Sequence, residues 1–163
     1  MLVLKWLVIV AALLALALFG AGQAGLLQGQ APADLGVHDG RLKPPSPTPN
    51  SVTSQASLYP DHPQRGYSDV APLPMRGDAA ATLARLQAVV QGMQGARVVK
   101  VEPDYLYAQV TTHWMKFVDD VEFWVDPVHQ VVQVRSASRL GHGDMGVNRR
   151  RVDAVRAALA AAP

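Results

Sequence analysis

Hydrophobic and polar residues alternate through the second half of the chain, and this pattern predicts four β-strands. The predicted strands cover residues 97–102, 104–112, 117–126 and 129–138. In the third of them, Val121 and Phe123 lie on one face, while Glu122 and Trp124 lie on the other. The links between successive strands are too short for parallel crossovers. We therefore expect an antiparallel four-stranded meander, in which Asp126-Pro127-Val128-His129 is the turn of the last hairpin.

Two segments that flank these strands repeat their apolar residues at the helical spacing. The first covers residues 78–93 and the second covers residues 148–161. We predict Asp78 and Asn148 as their N-caps. The residues expected on the apolar faces are Leu83, Leu86, Val90 and Met93 in the first helix and Val152, Val155 and Leu159 in the second. Two such helices on one sheet face predict a two-layer α+β domain.

The first 27 residues form a separate apolar segment. There is no charged residue from Trp6 to Leu27, and a helix of that length, about 33 Å, can cross a membrane. The segment also resembles a signal peptide with Gly22-Gln23-Ala24 as a cleavage site, so secretion after cleavage remains the alternative, with a buried soluble helix as a third interpretation. We prefer a retained anchor. Lys5 then predicts a cytoplasmic N-terminus and an exported domain, which is periplasmic in a bacterium.

Residues 28–76 form a proline-rich segment that contains nine of the 12 prolines. Proline disfavours helix, so we expect extended, irregular backbone. This segment is either a free tether or an extended strap that lies on the domain of residues 77–163. Tyr59, Tyr67 and Leu73 favour the strap, because apolar side chains stabilise a protein only when they are buried. Exposed aromatic surface is usually covered, and the strap is the nearest candidate to cover the sheet face that carries Tyr107 and Trp124, with a ligand or a partner protein as the next.

Composition excludes several classes of function. The chain has 163 residues and a formal net charge of +2, which is too small to indicate nucleic-acid binding. It has no cysteine, and this excludes disulfides, thiol catalysis and cysteine-based metal sites. Its five histidines do not have metal-ligand spacing, and there is no phosphate-binding glycine motif. We therefore predict no metal and no cofactor.

Opposite charges are concentrated between residues 119 and 151. The basic members are Arg135, Arg139, Arg149 and Arg151, and the acidic ones are Asp119, Asp120 and Asp144. Arginine binds carboxylate or phosphate in bidentate fashion, and a helix N-terminus favours anions. The cluster is therefore interpreted either as an internal ion-pair network through the three aspartates or as an anion-binding site, which would have Trp124 and Tyr107 as apolar neighbours.

The residue types of a hydrolase are present, but their pattern is weak. Ser136 or Ser138 could combine with His142 and Asp144, yet the serines lie in a strand pattern and no G-x-S-x-G motif is present. Asp119 and Asp120 are adjacent, so in a regular strand they point to opposite faces and cannot act as a carboxylate pair.

Four short motifs in the chain resemble those of the domain of unknown function family 1499. They are Pro49-Asn50-Ser51-Val52-Thr53-Ser54-Gln55, Asp119-Asp120-Val121-Glu122-Phe123, Val134-Arg135-Ser136-Ala137-Ser138-Arg139 and Asp144-Met145-Gly146-Val147-Asn148-Arg149-Arg150-Arg151. The resemblance covers about residues 40–157. It implies a small exported or membrane-anchored protein of bacteria or plastids and no established reaction. It also implies that the Pro-Asn-Ser part of the proline-rich segment belongs to the domain.

Three functional hypotheses follow. The first is a non-catalytic module, anchored in the membrane by residues 6–27, that binds an envelope protein or a small anionic ligand through the arginine cluster. The second is an envelope hydrolase that uses Ser138 or an aspartate. The third is a purely structural component of a larger envelope complex.

Overall fold

The computed structural model describes residues 1–161 and contains four helices and six strands in that range. The helices are α1 (Leu2–Gln23), α2 (Arg65–Ser68), α3 (Ala79–Gln91) and α4 (Val147–Ala161), with one turn of 3₁₀ helix at Ala56–Leu58. The strands are β1 (Ser51–Thr53), β2 (Leu73–Pro74), β3 (Ala96–Val101), β4 (Tyr105–Thr111), β5 (Val118–Asp126) and β6 (Val131–Ser138). The α+β class predicted from the sequence is confirmed.

All the strands belong to one antiparallel sheet. Strands β3 to β6 form the predicted meander, with β5 and β6 joined by the predicted hairpin. The prediction of four strands was too low, because β1 and β2 add to the free edge of β6, where Ser51 pairs with Ala137 and Leu73 pairs with Val132. Both extra strands come from the proline-rich segment. They contain three and two residues, which is too short for an alternating pattern to be visible in the sequence.

Both long helices of the domain pack on one face of the sheet, as predicted. The core between these layers contains Leu83, Leu86, Val90, Leu106, Val121, Phe123, Val134, Val152, Val155 and Leu159. Asp78 is confirmed as an N-cap, since its carboxylate accepts a hydrogen bond from the backbone N–H of Ala81. The prediction for Asn148 was wrong: Asn148 lies inside α4 and is buried, and its backbone N–H donates to Asp144 instead.

The proline-rich segment covers the other face of the sheet. Leu42 is buried in a second apolar cluster with Tyr105, Tyr107 and Trp124, and Leu35 and Val37 pack against that cluster. After Leu42 the segment continues to β1, which pairs with β6. Its backbone therefore passes over the sheet face before it joins the edge of the sheet. Three aromatic side chains that strand alternation placed on this face are thereby removed from water.

Helix α1 projects from the domain and is almost wholly exposed. It is long and apolar enough to cross a membrane, as a retained anchor or as a signal sequence. It ends at Gln23, four residues before Leu27, where the predicted apolar segment ends. Gly25 and Gly29 both adopt positive φ, a conformation that glycine tolerates and that does not continue a helix.

Candidate functional site

The four segments that carry the family resemblance meet in one hydrogen-bonded network centred on Asn148. The Asn148 side-chain amide donates to the carbonyl oxygen of Asn50 at 3.0 Å and to Ser138 Oγ at 3.1 Å. Its Oδ1 accepts from Ser136 Oγ at 2.7 Å and from Arg151 Nη1 at 2.6 Å. Segments from β1, β6 and α4 are thus joined by one buried side chain, and we call this group the Asn148 network.

Arg151 connects the Asn148 network to β5 through an ion pair with Asp119. Its Nη2 donates to Asp119 Oδ2, and the two side chains are only 7% and 4% exposed. Its Nη1 is shared between Asn148 Oδ1 and Ser136 Oγ. A buried charge is tolerated when it is paired and its remaining donors have acceptors, and Arg151 meets both conditions.

Asp144 fixes the start of α4. Its carboxylate accepts hydrogen bonds from the backbone N–H groups of Gly146 and Asn148, each at 2.9 Å, and from the Tyr67 hydroxyl. Burial opposes ionisation of Asp144, but these hydrogen bonds outweigh it and lower the pKa of the carboxyl group. The carboxylate therefore occupies the helix N-terminus, which the sequence had suggested as an anion site.

A cavity of about 290 Å³ lies beside the Asn148 network, between β5, β6 and the start of α4. We call it the β6–α4 cavity. Its lining is mixed, with apolar side chains beside two carboxylates, two hydroxyls and an arginine. The lining residues that matter here are Phe117, Asp119, Ser138, Leu140, Asp144, Met145 and Arg150. Arg150 donates to the Met145 carbonyl oxygen at 2.9 Å and has no acidic partner among the described residues.

A second charged group lies on the opposite sheet face, under the proline-rich segment. Arg139 makes a bidentate pair with Asp120, at 2.8 and 2.7 Å, and also donates to the Tyr107 hydroxyl. Hydrogen bonding to Asp120 raises the pKa of Arg139, so the guanidinium stays charged. Asp119 and Asp120 therefore point to opposite faces, as strand alternation requires.

Glu122 and Arg135 are the most deeply buried charged pair on that face. Arg135 Nη1 is 3.7 Å from Glu122 Oε2, which has no hydrogen-bond partner among the described residues. Glu122 Oε1 accepts from the Tyr105 hydroxyl and from the Gly36 backbone N–H, both at 2.8 Å. Burial raises the pKa of Glu122, and this effect outweighs the lowering of the pKa by the two hydrogen bonds and by the charge of Arg135. The proline-rich segment thus donates a backbone hydrogen bond to a buried carboxylate.

The structure divides the residues of the predicted anion site between several places. Arg135, Arg139, Tyr107 and Trp124 lie under the proline-rich segment, where Trp124 Nε1 donates to Asp104 at 3.2 Å. Arg151 lies in the Asn148 network on the helix side. Arg149 joins neither group, and its guanidinium donates to the Tyr67 carbonyl oxygen at 2.6 Å. The six residues therefore do not line one pocket.

The residue types of a hydrolase do not converge around Ser138 in the described part of the chain. Ser138 Oγ accepts from Asn148 and makes no hydrogen bond with a histidine or a carboxylate there. His142 is exposed, and Asp144 is bonded to Tyr67 and the helix start. A histidine–carboxylate hydrogen bond occurs elsewhere, at the β5–β6 hairpin, where His129 Nδ1 is 2.7 Å from Asp126 Oδ2. Residues 1–161 contain no cluster of side chains suited to hold a metal ion.

The end of α1 packs against the loop between β4 and β5. Gly22 is buried there, and a Cβ on it would be 2.6 Å from the Met115 carbonyl oxygen. The Gln23 side-chain amide donates to the Trp114 carbonyl oxygen at 2.8 Å. The C-terminal ends of β4 and β6 and the N-terminal end of β5 all lie at this end of the sheet. The β6–α4 cavity therefore lies at the same end of the domain as α1.

Sequence reasoning missed three residues of the site. Asn50 and Tyr67 lie in the proline-rich segment, about 80 to 100 positions from their partners, so no local pattern links them. Arg150 was not separated from its neighbours. The helical period was the available signal. Arg151 lies four residues before the inward-facing Val155 and therefore shares its face, whereas Arg150 falls on the outward face and is exposed.

A family model described as "Protein of unknown function (DUF1499)" matches residues 41–159 of the chain. This confirms the resemblance found in the four motifs. A search of curated proteins and a search of solved structures each found no significant match.

Proposed function

Because the chain belongs to the DUF1499 family of proteins of unknown function, no activity is inherited from the family, and we propose one from the structure. The protein is a non-catalytic module that α1 anchors in a membrane, with its domain on the exported side, periplasmic in a bacterium. It binds a small anionic ligand of the envelope in the β6–α4 cavity. The observation that carries this proposal is the contact between the end of α1 and the domain.

A retained anchor explains that contact better than a cleaved signal does. Gly22 and Gln23 belong to the candidate cleavage site, and both contact the β4–β5 loop. A segment that is removed from the mature protein needs no such fit. Lys5 near the N-terminus favours a cytoplasmic start of α1 and therefore an exported domain.

The charge distribution supports Arg150 as the ligand-binding group. Arg139 and Arg151 are paired with Asp120 and Asp119, and Arg149 does not line the cavity. Arg150 lines the β6–α4 cavity and is exposed. The apolar lining would contact the body of the ligand, while Arg150 would bind its anionic group.

The test is a thermal-shift screen of the full chain in detergent against phosphates, glycerophosphates, nucleotides, polyanions and carboxylates. A ligand of the cavity should raise the melting temperature. Arg150→Ala should weaken its binding by about 10- to 100-fold, the loss of one charge-assisted hydrogen bond of roughly 1.5–3 kcal/mol. The matched control is Arg41→Ala, which removes an exposed arginine of the proline-rich segment outside the cavity. No stabilisation by any of these anions would contradict the ligand and favour a structural role in an envelope complex.

A further inference from the structure

The end of the domain from which α1 emerges has a surface made of two loops, residues 112–117 between β4 and β5 and residues 139–146 between β6 and α4. These loops border the β6–α4 cavity together, since Thr112 and Phe117 line it beside Leu140 and Met145. We call this surface the α1-end surface. Its position relative to α1 is fixed by the packing of Gly22 against Met115.

The α1-end surface exposes large apolar side chains that nothing in the domain covers. Trp114 is 68% exposed and Met145 is 92% exposed, and Leu140, which lines the cavity, is 41% exposed. Lys116 belongs to this surface and Arg150 of α4 lies beside it in the cavity lining, whereas the carboxylate of the surface, Asp144, is buried and hydrogen-bonded. The accessible charged side chains at this end are therefore basic.

The length of α1 sets the height of this surface relative to a bilayer. At about 1.5 Å per residue, the 22 residues of α1 span roughly 33 Å, which matches a hydrocarbon core of about 30 Å. Gln23 then lies at the membrane–water interface, and its side-chain nitrogen is 2.8 Å from the Trp114 carbonyl oxygen. Tryptophan is enriched at that depth, and basic side chains close to a bilayer surface are attracted to whatever anionic lipids it contains.

We propose that the α1-end surface rests on the bilayer that α1 crosses, with Trp114 and Met145 inserted among the lipid headgroups and Lys116 and Arg150 facing anionic lipids. The proposal rests on the proposed function in one respect, which is that α1 remains as an anchor. It goes further because it assigns a lipid contact to the folded domain itself. The β6–α4 cavity then opens toward the membrane, and a ligand can reach it from the bilayer surface.

The chain has no cysteine, so one introduced cysteine gives a unique labelling site. Full-length Trp114→Cys and Met145→Cys variants are labelled with an environment-sensitive fluorophore and reconstituted into vesicles of phosphatidylcholine with or without phosphatidylglycerol. The matched control is Val128→Cys, which is 81% exposed in the β5–β6 hairpin at the opposite end of the sheet. Circular dichroism of each variant checks that it is folded.

We expect blue-shifted emission at positions 114 and 145, with quenching by lipids that carry a spin label near the headgroup. The shift should be larger with phosphatidylglycerol, and position 128 should report water in both vesicles. Emission at positions 114 and 145 equal to that at 128, from protein that resists carbonate extraction, overturns this proposal while the anchor stands. Protein that carbonate releases contradicts the anchor itself. A blue shift that appears only after envelope proteins are added overturns the lipid contact in favour of a protein interface.

Discussion

Replacing Arg151 with methionine tests whether the Asn148 network holds the domain together. The substitution keeps most of the side-chain volume but leaves Asp119 buried without its partner, with a side chain 4% exposed. It also removes donors from Asn148 Oδ1 and Ser136 Oγ. Breaking a buried pair by removing one partner costs about 3–5 kcal/mol. At roughly 2–4 °C per kcal/mol for a chain of this size, the melting temperature should fall by about 6–20 °C.

The assay is thermal and urea denaturation of the full chain in detergent, followed by near-ultraviolet circular dichroism. The matched control is Arg150→Met, which removes the neighbouring exposed arginine and should change stability by no more than about 0.5 kcal/mol. The double variant Asp119→Asn with Arg151→Met should recover part of the loss, since it leaves no uncompensated charge. If Arg151→Met costs no more than Arg150→Met, the reasoning about this network is refuted.

Three further predictions concern the backbone, the buried carboxylate and the proline-rich segment. Gly95→Ala should destabilise the protein by at least about 1–2 kcal/mol in urea denaturation, because φ is +76° and a Cβ would overlap a β4 carbonyl oxygen. Gly92→Ala has negative φ and ordinary contacts, so an equal loss there would contradict this reason. Burial raises the pKa of Glu122 in the folded protein. The free energy of unfolding of the wild type, measured relative to that of Glu122→Gln, should therefore fall as the pH rises from about 4 through that raised pKa. A difference that stays flat or rises with pH would contradict this prediction. Leu42→Ala should cost about 2–5 kcal/mol and Leu58→Ala, at an exposed position, less than about 1 kcal/mol; equal losses would mean that the segment around Leu42 is not packed in solution.

Much of the domain could be predicted because its signals are local. Strands β4 to β6 contain seven to nine residues each, enough for alternation to define two faces. That alternation also separated Asp119 from Asp120, and the structure places them on opposite faces with different arginine partners. The pairing of Asp119 with Arg151 could not be read from the sequence, because it depends on how α4 lies across the sheet, and the pairing of Asp120 with Arg139 depends on the register between β5 and β6.

The parts that escaped prediction are those that tertiary contacts decide. Strands β1 and β2 exist because the edge of β6 offers unpaired backbone groups, and neither strand has a pattern of its own. Asn148 has a side chain that is common at N-caps, but the carboxylate of Asp144 accepts the backbone hydrogen bonds at the start of α4. Asn148 is then available to join β1, β6 and Arg151. The β6–α4 cavity likewise depends on the path of two loops.

Residues 1–27 carry the central claim, that the domain is held at a membrane by an anchor that stays on the chain. The most direct measurement is the intact mass of the native protein from carbonate-washed membranes and from the soluble exported fraction. We predict a membrane-bound species whose mass includes α1. A soluble species that begins after Ala24 and has lost α1 would contradict the account.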